Sequence, residues 1–125
     1  MSRTLRAPDG QARVVAPTTT TKIATRMLAA SAVVAAKLPV GFYHPAALDT
    51  LLALHVAEEA AQYLPIDAIA PAASSSPETT KRWIAALVQA DLIEQKNDLL
   101  ALSTSGHQMV TGFLTAIYDA QRALD

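Results

Sequence analysis

The residue types best suited to chemistry crowd into one stretch of this chain, SSSPETTKRW at residues 74–83. Ser75, Ser76, Thr79 and Thr80 bring hydroxyls, while Lys81 and Arg82 bring positive charge. Hydroxyls and backbone amides at a helix start can hold an anion, because the first turn leaves its N–H groups unpaired. Lysine adds a point charge, and a guanidinium forks onto a phosphate or a guanine edge. The chemistry on offer is anion recognition, with Lys96 as a further cation downstream. A plainer reading stands beside it: Lys81 and Arg82 equally suit the solvated face of any helix.

Other chemistry is poorly provided for. His44, His55 and His107 are spread widely, and no pair has a metal-binding spacing such as HExxH. His55 reads as an ordinary helix histidine. Glu58 and Glu59 lack an acid–base partner and read as a solvated helix end. The chain has no cysteine, which excludes disulfides and thiolate metal sites. It shows no glycine-rich phosphate loop and no nucleophile elbow. The expectation is a protein that is not an enzyme and has no metal or cofactor.

The elements that must position residues 74–83 can be read from pattern. Ser76 suits a helix cap, Pro77 the first helical position and Glu78 the first turn. Ser75 with Glu78 offers an alternative capping box. Thr80, Ile84, Leu87 and Val88 make an inner stripe, with Trp83 packed behind the helix. Glu78, Lys81, Arg82, Ala85 and Gln89 fall outside it. Upstream, a helix over 21–38 presents Ile23, Met27, Ala30, Val34 and Leu38. A second opens at His44 and Pro45, with Leu48, Leu52, Val56, Ala60 and Tyr63 inward. A short segment over 65–73 precedes the turn into the central helix. Downstream, 92–95 and 99–102 form a hairpin around Lys96, Asn97 and Asp98. Ser103 or Thr104 caps a last helix with Val110, Phe113, Leu114, Ile117, Tyr118 and Leu124 on one face. Residues 1–20 show no period and read as a mobile basic arm.

The 125 residues suit one domain, over 21–125, behind that arm. Hydrophobic residues make up 51% and charged ones only 17%, so part of the apolar surface calls for a partner subunit. The net charge of −1 hides an asymmetry: residues 1–40 hold six basic groups and one acidic, and residues 41–125 four basic and ten acidic. An acidic body argues against strong non-specific DNA binding, which depends on neutralising phosphates. The apolar run MLAASAVVAA at 27–36 is too short to span a bilayer and lacks a clear cleavage site, so a cytoplasmic protein with no membrane segment is expected.

The expected fold class is mainly α: a winged helix-turn-helix (65–92), with a short β-hairpin wing (92–102) and flanking N- and C-terminal helices. Three places also carry a family resemblance. They are Ile69 with Ala70, then SPETTKRWI at 76–84 with Leu87, and finally Leu92 with Ile93 followed by LSTSG at 102–106. Over roughly half the chain, 45–106, they resemble the multiple-antibiotic-resistance-regulator (MarR) type of winged-helix protein. The resemblance implies a homodimeric transcriptional regulator of double-stranded DNA, with helices 21–38 and 103–124 at the dimer interface. Some proteins of that type respond to a small phenolic or other aromatic ligand bound between the dimerising and DNA-binding parts, so the resemblance makes a small aromatic effector a candidate partner. The expected DNA contacts are Ser75, Ser76, Thr79, Thr80, Lys81, Arg82 and Lys96. Two departures stand out. Asp91 occupies the glycine position before the Leu–Ile exit, where Asp tolerates a left-handed backbone. The wing is short, and 74–98 holds three basic residues against four acidic. A second function therefore competes: a winged-helix protein-interaction module with weak or no DNA binding.

Overall fold

The computed structural model describes residues 3–6, 10, 12–15, 18–69, 71 and 74–124. Two strands, β1 (Arg3–Arg6) and β2 (Ala12–Val15), pair antiparallel, with Arg3 opposite Val15 and Arg6 opposite Ala12. The sequence reading predicts no regular element here, so this is a correction. Gly10, at φ +89°, supplies a backbone that other residues rarely adopt, and Val14 and Val15 favour extended chain. Pro8 and Pro17, which with Gly10 and the threonine run 18–21 make the segment read as an irregular arm, lie outside the described residues.

Helix α1 (Thr19–Lys37) starts at Thr18, whose hydroxyl accepts from the Thr21 amide at 3.2 Å. It ends before Pro39, which cannot continue a helix, and Gly41 follows at φ +87°. Val34 and Leu38 are buried as expected, but Ile23 and Met27 from the same face are 51% and 65% exposed. Helix α1 packs along the last helix, α5 (Thr104–Arg122), and only its C-terminal half reaches the core.

Helix α2 (Pro45–Glu59) opens on His44, whose Nδ1 accepts from the Ala46 amide at 3.0 Å. The predicted inward face needs correcting. Ala47, Thr50, Leu51, Leu54 and Ala57 point inward, whereas Val56 and Tyr63 are exposed. The segment LLALHVA is apolar on every side, so periodicity could not choose a face. The choice is made by packing against three neighbours: α4 (Pro77–Gln89), α5 and strand β5 (Leu99–Leu102).

After α2 the chain turns through Ala61, at φ +53°, into β3 (Leu64–Pro65) and the short α3 (Ile66–Ile69). Strand β3 was not foreseen, since two residues carry no alternation. Pro65 fits there because β3 is an edge strand. β5 lies between β3 and β4 (Ile93–Lys96) in a three-stranded antiparallel sheet, with Leu64 opposite Leu100 and Ile93 opposite Leu102. Leu100, Leu102 and Ile93 face the core, while Glu94, Gln95 and Lys96 face solvent. The chain is thus mainly helical with a small antiparallel sheet. Its core gathers Leu51, Leu54, Ile69, Leu87, Leu100 and Phe113, all nearly inaccessible. Each such side chain contributes about 1.5–3 kcal/mol by leaving water. Among the described residues, no helix is long and apolar enough to cross a membrane.

Candidate nucleic-acid interface

Helix α4 is built as its sequence predicts. Ser76 caps it, accepting from the Thr79 amide at 3.2 Å, and Pro77 takes the first position. Thr80, Ile84 and Leu87 are buried, and Val88 is half-buried. Glu78, Lys81, Arg82, Ala85 and Gln89 lie on the exposed side. The helix ends in a Schellman motif. The Asp91 amide donates to Val88 O at 3.0 Å and the Leu92 amide to Leu87 O at 3.0 Å. Asp91 adopts φ +63°, the left-handed conformation expected of it in place of glycine.

The turn before α4 is tethered to α2. The Asp49 carboxylate accepts from the Ser74 amide at 2.8 Å and from its hydroxyl at 2.7 Å. Asp49 itself stands in the second turn of α2. No local pattern links residues 25 positions apart. Trp83 is half-buried behind the helix, stacked on His44 with centroids 4.9 Å apart and edge-on to Phe42 at 5.8 Å. It therefore props α4 against the start of α2, the packing role predicted for it.

The predicted contact residues separate into four groups, of which Lys96 on the hairpin is the last. Lys81 and Arg82 are exposed together on the outer face of the helix start. Ser76 and Thr79 lie at the tip, their hydroxyls 3.0 Å apart, and Ser75 is half-buried beside them. Thr80 must be removed from the set. It is fully buried, and its hydroxyl donates to Ser76 O at 2.9 Å. Its place on the inner stripe outweighs its proximity to Lys81, because buried hydroxyls spend their hydrogen bonds inside the protein.

Lys96 is exposed at the end of β4, where Asn97, at φ +56°, turns the chain. Between α3, α4 and this hairpin runs a groove of about 530 Å³ that Lys81 lines with Gln95. Asp67 and Asp98 line it too, so one cation shares the groove with two acids. A smaller, largely apolar cavity of about 190 Å³ lies between α1, α2 and α5, lined by Val34, Tyr43, Leu52, Phe113 and Ile117 among others.

The junction from sheet to α5 was legible as a motif but not as a contact. Ser103 caps α5, its hydroxyl accepting from the Gly106 amide at 2.9 Å and donating to Asp91 O at 2.6 Å. The Ser103 amide donates to Leu92 O at 3.1 Å. A Cβ on Gly106 would sit 2.0 Å from that same carbonyl oxygen, so only glycine fits here. Ala70, paired with Ile69 in the family resemblance, lies outside the described residues. No protein-family model and no curated protein sequence matches this chain.

Proposed function

We propose that this chain is a DNA-binding transcriptional regulator of the MarR-like winged-helix type. It acts in the cytoplasm as a homodimer, with α4 in the major groove and the β4–β5 hairpin as a short wing. The observation that carries the reading is the build of α4. A capped helix start presents Lys81 and Arg82 outward with Ser76 and Thr79 at its tip, on a helix seated against α2 and the sheet. A helix held so can offer its first turns to base edges and phosphates. The homodimer rests on the apolar side chains left outside on α1 and α5: Ile23, Met27, Leu28 and Tyr118. The cavity between α1, α2 and α5 suits a small aromatic effector, since its lining is apolar apart from a few polar atoms.

A second reading has its own support. Asp67 and Asp98 share the groove of Lys81, and Glu94 is exposed on the wing. Such a surface makes few phosphate contacts and suits a protein-interaction module. The two readings part on salt. Binding to mixed genomic DNA fragments is expected at low salt, weakening as salt rises. Lys81→Ala with Arg82→Ala should reduce the slope of log affinity against log salt by about 2, roughly one unit per lost phosphate contact. No binding at low salt would overturn the first reading and leave the second.

A further inference from the structure

The fold brings together three residues that the sequence reading kept apart. His55 and Glu58 stand at i and i+3 on α2, so they share one face. His107 lies in the first turn of α5, held there by the Ser103 cap. His107 Nδ1 is 2.7 Å from Glu58 Oε2, and His55 Nδ1 is 3.9 Å from the same oxygen. The donor atoms of the three all lie within 4.8 Å of one another. The two imidazole rings stand 6.4 Å apart, centroid to centroid.

We propose that His55, Glu58 and His107 bind a divalent transition-metal ion of the zinc type across the α2–α5 crossing. Three observations support it. The donor set, two imidazoles and one carboxylate, is one that zinc accepts with a fourth position left to water. The spacing needs only side-chain adjustment, since two ligands on a tetrahedral zinc lie about 3.3 Å apart. Finally, Nδ1 of His55 is shielded from solvent and has no hydrogen-bond partner. A buried ring nitrogen without a partner is an uncommon loss, and a metal bond would offset it. The simpler arrangement, a hydrogen bond between His107 and Glu58, satisfies two of the three groups and leaves His55 unexplained. The missing sequence signal was the pair His55-x-x-Glu58, whose third member is 49 positions beyond Glu58.

The site depends on no reading of α4 and would hold whether or not the protein binds DNA. Its test uses the untagged full-length chain, stripped with chelator and titrated with Zn²⁺ against a competing fluorescent chelator. One Zn²⁺ per chain is expected, with a Zn²⁺-dependent rise in melting temperature. His55→Gln, His107→Gln and Glu58→Gln should each weaken binding by at least about 100-fold, since losing even an outer-shell partner costs about 10–100-fold. Ring-nitrogen NMR shifts of His55 and His107 should move with Zn²⁺ while those of His44 stay. Melting the three variants without metal separates loss of the site from loss of the fold. Absence of stoichiometric binding by the wild-type chain, or equal binding by a folded His55→Gln variant, would overturn the proposal.

Discussion

The two ends of this molecule are finished in opposite ways. Around α4 and the hairpin, the apolar residues Ile84, Leu87, Leu92, Ile93, Leu100 and Leu102 are all buried. The charged ones, Glu78, Lys81, Arg82, Glu94 and Lys96, are all outside. Around the N-terminal half of α1 the sorting fails: Ile23, Met27 and Leu28 are 51–72% exposed, and Tyr118 of α5 is 63% exposed. Leu99, 44% exposed at the hairpin, is the exception at the first end. The second keeps an apolar surface that leaving water would stabilise, which is the physical case for a second subunit there.

That contrast can be broken at its firmest point. Gly106→Ala forces a methyl into the Leu92 carbonyl and should destabilise the chain by about 3 kcal/mol, the upper range for overpacking a tight site. Urea unfolding checks this, and an unchanged midpoint would remove the argument that α5 and the hairpin are locked together. A smaller effect is expected at the other end. Met27→Glu should weaken self-association by about 2 kcal/mol, the scale of an interface hot spot, while helix content stays the same. Sedimentation velocity and circular dichroism read the two quantities. Loss of fold rather than of assembly would mean that Met27 belongs to the core after all. The smallest effect sharpens the picture of the finished end. Ala61 closes α2 at φ +53°, with its amide donating to Glu58 O and that of Gln62 to Ala57 O. Ala61→Gly relieves a left-handed alanine and should add about 0.5–1 kcal/mol of stability without changing association. Thermal melts at several protein concentrations would show both.

How much of this was legible in the sequence follows the same divide. The α4 region was legible because local signals agree there: a serine cap, a proline at the first position, a clean stripe and a turn with Asn97 and Asp98. Thr80 was the exception, since a hydroxyl type suggests contact while its position on the stripe dictates burial. Helix α2 misled because leucine and alanine surround it, and its inner face is chosen by α4, α5 and β5, which are distant in sequence. The Asp49–Ser74 tether and the His55, Glu58 and His107 group were invisible for the same reason, as both join residues that only folding brings together. The N-terminal hairpin was missed differently. A glycine among prolines reads as irregular chain, yet Gly10, at φ +89°, equally suits a turn.

The junction at Leu92 and Ser103 also has a mechanical side. Two hydrogen bonds and one close backbone approach tie the exit of α4 to the first turn of α5. A rotation or slide of α5 therefore cannot be absorbed at its start, because moving Ser103 drags the carbonyls of Asp91 and Leu92 with it. Were two copies joined along α1 and α5, as proposed, a change in the angle between them would reach α4 as a tilt of the whole helix. The stitch would then make α5 a lever arm, with the tip bearing Lys81 and Arg82 as its load.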